Sequence, residues 1–312
     1  MKKHLKKLTV AIAAIIFSVS SFSQTDNDAI MMTQHNFCTG LMYQHSSWNE
    51  YWEGSFKRPA LNLGTVSTQM IGAMGNFGIK DNLNVLFSLP YVTTRASAGT
   101  LLGIKGLQDL GLWVKYMPLE IERGGNTFSL YTIGGVSFPT TNYVADFLPL
   151  SIGLQSTNVS LRGMADYQYK NLFVTASATY VLRSNITIDR TSYYTTEMHY
   201  SNEVKMPNAT QFNIRAGYRT SKVIAELIYE GWNTIGGFDI RKNDMPFPSN
   251  NMDMTRLGVN AKYTFNKPQG LSLIGGGSMT LTGRNVGKST SVNGGVFYII
   301  DFSKKIVKKT GG

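Results

Sequence analysis

Few residues of this chain have the types and spacing for covalent chemistry. After the first 23 positions the histidines are His35, His45 and His199, and none stands at metal-ligand spacing from another donor. No Gly-x-Ser-x-Gly elbow or phosphate-cradling glycine loop occurs. His45 lies beside Ser46, Ser47 and Asn49, residue types that some outer-membrane phospholipases place on adjacent strands, but no triad follows from them. Cys38 has no second cysteine with which to form an internal disulfide. The chain is therefore expected to be no enzyme, with no metal and no cofactor.

The charged residues are more informative, because they alternate with apolar ones. Asp109, Lys115, Arg162, Asp166, Arg183, Arg215, Arg219, Glu226, Glu230, Arg256, Lys262 and Asp301 all fall on the polar side of a period-two pattern. Arg162 and Asp166 are four apart on one segment, and Glu226 and Glu230 can oppose Arg215 and Arg219 across a hairpin. Paired charges of this kind either lock a narrow interior or line a path for a polar or amphipathic solute. Arginine could also orient a carboxylate.

The elements that must position these charges are strands. Val159 to Leu182 shows the pattern plainly. Val159, Leu161, Gly163, Ala165, Tyr167 and Tyr169 alternate with polar residues, then Lys170-Asn171 turns the chain, and Leu172, Val174, Ala176, Ala178, Tyr180 and Leu182 continue it. Each limb has about ten residues, enough for a tilted strand to cross a bilayer. Asn171 suits the left-handed conformation of a tight turn. Repeated along the chain, the pattern predicts about twelve strands, an even number as in bacterial single-chain barrels.

Connections alternate in length. Long ones follow strands one, three, five, seven and nine, with Asn185–Asn208 the longest; short ones mostly follow the even strands, although Pro118–Asn126 is longer. A β-sandwich has no reason to sort its loops in this way. With a periplasmic N-terminus, the long loops face outward from the cell. The inner ends of the even strands carry Tyr116, Tyr169, Tyr218, Tyr263 and Phe302 on the apolar side, an expected periplasmic aromatic girdle. The fold class is thus all-β, a single transmembrane antiparallel barrel.

Export fits this reading. Lys2, Lys3, Lys6 and Lys7 precede the apolar run Leu8–Val19, and small residues lead to an expected cleavage before Gln24. The expected organisation is a signal peptide over 1–23, a barrel with an N-terminal periplasmic segment over 24–302, and a basic tail over 303–312. The formal charge of +11 becomes +7 once the four leader lysines go (11 − 4). Lys304, Lys305, Lys308 and Lys309 lie in the tail, and the remaining cations are scattered, which argues against a nucleic-acid partner. The expected partners are outer-membrane lipid, a small-molecule solute and the outer-membrane assembly machinery.

Several segments resemble one family. Trp52-Glu53-Gly54, then Gly78-Ile79-Lys80-Asp81-Asn82-Leu83-Asn84-Val85 leading to Leu89-Pro90-Tyr91, form one block. Gly106-Leu107-Gln108-Asp109-Leu110-Gly111-Leu112 with Val114-Lys115-Tyr116 forms a second, and Val136-Ser137-Phe138-Pro139-Thr140 a third. Together they resemble the outer-membrane proteins of the phenol meta-degradation pathway type, distantly akin to long-chain fatty-acid transporters. The likeness is best over residues 50–140. It departs at Thr141, where the family has glycine, and in the basic tail that follows the last aromatic, Phe302. The resemblance implies a barrel that passes hydrophobic or aromatic compounds.

The expected function is passive uptake of small hydrophobic, aromatic or amphipathic compounds through the barrel. The alternative is a closed structural or surface-binding barrel acting through its long loops. The segment Thr25–Cys38, or an inward-folding loop, could plug the lumen. Trp48, Tyr51, Trp52, Tyr193 and Tyr194 are candidates for an external capture surface or for anchors in the outer leaflet.

Overall fold

The computed structural model describes residues 25–242 and 244–303, so the expected leader and the tail lysines lie outside the described residues. Twelve antiparallel strands form the body. They are β1 Asn36–Trp48, β2 Val66–Lys80, β3 Leu83–Ala96, β4 Asp109–Arg123, β5 Asn126–Pro139, β6 Asn158–Tyr169, β7 Leu172–Arg183, β8 Asn208–Arg219, β9 Val223–Ile235, β10 Asp253–Thr264, β11 Leu271–Arg284 and β12 Thr290–Asp301. Each pairs with its sequence neighbours, and β1 pairs with both β2 and β12: Leu41 stands opposite Ala73 on one side and Val296 on the other. The sheet therefore closes and leaves no edge, as a structure spanning hydrocarbon requires.

The period-two pattern becomes an inside and an outside. On β6 and β7, Val159, Leu161, Leu172 and Val174 are exposed, while Arg162, Met164, Asp166, Phe173 and Thr175 are buried. Every other strand repeats this, with Leu41, Ile71, Val85, Val114, Phe128, Ile214, Leu227, Val259, Leu273 and Val296 on the outer surface. A continuous apolar exterior of this kind is not that of a water-soluble monomer. It is a lipid-facing surface.

Three details differ from the sequence-based expectation. The connection after β4 is not a loop from Pro118 to Asn126. The register shifts between Tyr116 and Leu119, absorbing Pro118, which has no N–H to give the ladder; pairing then resumes to Arg123. The turn itself is Gly124-Gly125, both at positive φ (59° and 80°), where glycine avoids the Cβ clash. In the β6–β7 turn it is Lys170 that takes the left-handed conformation (φ 54°), while the Asn171 amide donates to the Tyr218 hydroxyl at 3.3 Å. Finally, Phe302 lies beyond the end of β12, its N–H bonded to the His35 carbonyl at 3.0 Å. The exposed aromatic on β12 near that level is Tyr298.

The connections sort by length as the sequence indicates. The loops 49–65, 97–108, 140–157, 184–207 and 236–252 gather at one end, together with the short connection 285–289, and the remaining short turns lie at the other. The loops are folded, not open. Ala145, Ile186, Ile188, Val204, Met206 and Phe247, drawn from three of them, form a buried apolar cluster.

Candidate functional site

The lumen is occupied by the chain's own N-terminal segment. Residues 25–35 run from mid-barrel to the turn end, where His35, at φ 63°, donates its N–H to Gly78 and leads into β1. Sequence periodicity cannot show this, because the segment is not a strand. Its composition fits the lumen, however: the acids Asp26 and Asp28 precede the apolar run Ala29-Ile30-Met31-Met32.

The polar half is held by two cations from the wall. Lys115, fully buried on β4, donates to the carbonyls of Thr25 (2.6 Å), Asp28 (2.9 Å) and Ile30 (3.3 Å) and pairs with the Asp28 carboxylate at 3.3 Å. Burial alone would push the Asp28 carboxyl up; the Lys115 ammonium and hydrogen bonds from Thr25 outweigh it and hold it below the ordinary carboxylate range. Higher in the barrel, Arg162 on β6 donates to the Asp26 carbonyl at 2.6 Å and pairs with its carboxylate at 3.0 Å. The buried Tyr131 hydroxyl donates to the Ala29 carbonyl at 2.9 Å.

The apolar half fills three pockets of the inner wall. Ala29 packs with Tyr131, Ile133 and Met164; Ile30 with Phe173 and Ile224; Met32 with Cys38, Phe297 and Ile299. Asn84, oriented to satisfy its surroundings, exchanges hydrogen bonds with the Met32 backbone. A twelve-stranded wall encloses more than its own side chains fill. Here the surplus is taken up by the segment.

The inward charges divide by partner. Lys115 and Arg162 hold the segment. Asp166 and Arg219 pair at 2.9 Å, with Thr175 donating to Asp166, and the Arg219 guanidinium lies 3.8 Å from the Phe173 ring centroid. Arg215 pairs with Glu226 at 2.9 Å, and Arg256 with Glu230 at 3.6 Å. The expected opposition of the two glutamates to Arg215 and Arg219 thus holds for one pair alone: each strand's neighbours on both sides compete, and Arg219 reaches Asp166 two strands away. Lys262 is buried on the inner face of β10. Asp109 stands at the loop end, accepting from the Tyr143 hydroxyl at 2.6 Å. Asp301 closes β12 at the turn end and accepts from the Ser303 N–H at 2.9 Å. Arg183, the last residue of β7, lies over the Trp232 ring at 5.1 Å from its centroid. Tyr116, Tyr169, Tyr218 and Tyr263 are exposed on the outside near the turn end.

Two cavities lie above the segment. A vestibule of about 200 Å³ is lined by Asp26, Trp113, Asn158, Arg162, Arg183, Gln211 and Trp232 among others. Trp113 and Trp232 were not singled out by the charge pattern, although each stands on the inward phase of its strand, a visible signal. At the mouth, a cavity of about 450 Å³ is lined by Trp48, Tyr51, Arg58, Leu61, Leu63, Leu101 and Met245 among others. Of the other external aromatics, Trp52 is buried, with its ring lying where a Cβ on Gly283 would sit. Tyr193 stacks on His199 and Phe247 at 4.7 and 5.3 Å, and Tyr194 lies exposed beneath Arg241. Among the described residues no three His, Cys, Asp or Glu side chains come together as a metal site.

No family model and no curated protein sequence matches the chain. Among solved structures, an outer-membrane channel from Pseudomonas putida F1 is similar at TM-score 0.70 and 15% identity, covering 89% of this chain and 100% of that one. The NanC porin follows at TM-score 0.45 and 10% identity (82% and 98% covered), and a Pseudomonas aeruginosa FadL homologue at TM-score 0.39 and 11% identity (86% and 90% covered). The last two are too distant to add to the argument. The closed barrel and its apolar exterior define a bacterial outer-membrane β-barrel, and the first of these likenesses has the same fold. The narrower resemblance to the phenol meta-degradation type is not matched by a family model; the outer-membrane barrel class is what the comparisons support.

Proposed function

We propose that this protein is a gated outer-membrane channel for passive uptake of small hydrophobic, aromatic or amphipathic compounds. Solute enters past the aromatic mouth, collects in the vestibule, and passes when the N-terminal segment leaves its seat. One observation carries this reading. The lumen is filled by a separate segment held through a few replaceable contacts, and a cavity with charged and aromatic walls lies directly above it.

The filled lumen also suits a closed barrel that acts through its loops, and conductance separates the two. In a Cys38→Ala background, Ile30→Cys and Ile224→Cys, which replace residues packed together, are joined by a reducible bifunctional thiol reagent. The channel reading expects the linked protein to be silent in a planar bilayer and to conduct after reduction. Conductance indifferent to the link rejects the segment as gate. Silence even after the segment is deleted, in a folded barrel, establishes the closed reading.

A further inference from the structure

Arg183 differs from the other inward arginines. Arg162, Arg215, Arg219 and Arg256 each face a carboxylate, at 3.0, 2.9, 2.9 and 3.6 Å. The Arg183 guanidinium makes no ion pair and no side-chain hydrogen bond among the described residues; its one recorded contact is the face of Trp232. A guanidinium withdrawn from bulk water without an anion is unfavourable, and the ring face offsets only part of that. Stacking also leaves the in-plane N–H fork free, and that fork matches a carboxylate with two parallel hydrogen bonds.

The surroundings supply the rest of a site. Trp113 lies flat on the inner wall: a Cβ on Gly111 or on Gly135 would stand 2.2 or 2.3 Å from its ring. Only glycines at those two places let the indole lie there, presenting its other face to the vestibule. Trp113 and Trp232 thus give the cavity two aromatic surfaces, and its volume of about 200 Å³ admits a single small ring.

From this geometry we infer that the vestibule is a binding subsite for a small planar organic anion, its carboxylate on Arg183 and its ring against Trp113 and Trp232. This deepens the channel reading and rests on it for its place in uptake, but binding is measurable in the closed protein. The probe is benzoate, titrated calorimetrically into the folded chain in detergent, with benzyl alcohol (the ring without the charge) and acetate (the charge without the ring) as comparisons. Benzoate is expected to bind saturably at one site, at least tenfold more tightly than either comparison. Arg183→Gln is expected to weaken benzoate at least tenfold while leaving benzyl alcohol unchanged; Trp232→Leu should weaken both. Folding of each variant is checked by heat-modifiable electrophoretic mobility, and Arg183→Lys, which keeps the charge and loses the fork, serves if the glutamine variant does not fold. Equal binding of benzoate and benzyl alcohol, or full affinity in Arg183→Gln, overturns the inference. Benzoate flux without saturable binding also overturns it and leaves the channel reading standing. Arg183-dependent binding in a barrel that never conducts does the reverse.

Discussion

Lys115→Met tests what holds the N-terminal segment in the lumen. The ammonium makes three hydrogen bonds to the segment's carbonyls, the shortest at 2.6 Å, and one ion pair to Asp28 at 3.3 Å. Methionine matches the aliphatic stem and removes all four. Breaking a buried ion pair from one side costs about 3–5 kcal/mol, because the partner is left unpaired. Asp28 can take up a proton instead of remaining a bare anion, which places the cost near the lower end, about 3 kcal/mol. At 1.4 kcal/mol per decade, the equilibrium between seated and released segment shifts by roughly 100-fold. Hydrogen exchange reads this directly. The Ile30 amide donates to Asp28 Oδ1 at 3.1 Å and is shielded in the lumen. In lipid discs, amides of residues 28–32 should exchange roughly 100-fold faster in the variant, while those of β6 and β7 keep their protection. Unchanged exchange over 28–32 in a folded barrel refutes the argument. So does equal acceleration across the strands, since the lysine would then be holding the barrel and not the segment.

Acid should loosen the same seat. The Asp28 carboxyl is held below its ordinary value in the seated state, so its contribution is fully present above the released-state value near 3.8 and is lost as pH falls through the lower, seated-state value. Open-channel probability should therefore be flat from pH 7 to about 5 and rise below about pH 4, and protection over 28–32, taken relative to the intrinsic exchange rate at each pH, should fall there; a change centred near pH 6 would assign the control to another group. The lipid-facing surface is tested by Leu227→Arg, which puts a charge among exposed apolar neighbours and should destabilise the barrel by about 2–4 kcal/mol if it lies near the bilayer midplane. Urea unfolding in vesicles measures it against Leu61→Arg in an exposed loop, and equal midpoints would remove Leu227 from the membrane.

Much of the architecture was legible because the barrel obeys a local rule. Alternation along one strand says which side each residue takes, and the paired lengths of loops and turns say which end is which. That is enough to place Lys115, Arg162, Asp166, Arg219 and Lys262 inside. It is not enough to pair them. Whether Arg219 meets Glu230 or Asp166 depends on strand stagger around the closed sheet, a non-local quantity no single strand encodes. The turn after β4 departs from the local rule for a related reason: Pro118 looks like the end of a strand, but one register shift lets the ladder continue past it. Residues 25–35 carry no period at all. Their seat is specified by the wall, through side chains such as Tyr131 and Asn84 that face inward for a partner their own strand does not reveal.

The charges also have an order along the barrel. Near the turn end, Asp166 and Arg219 bind each other across the wall and fix its shape. Lys115 and, higher up, Arg162 take their counter-charges from Asp28 and Asp26 of the segment, so their neutralisation lasts only while it is seated. At the loop end, Arg183 faces no carboxylate among the described residues. The succession runs from a cation stacked on Trp232 beneath the mouth, to cations paired with the segment, to a pair fixed within the wall. On the channel reading proposed above, a small anion descending the lumen meets Arg183 first, and then the cations that departure of the segment would free.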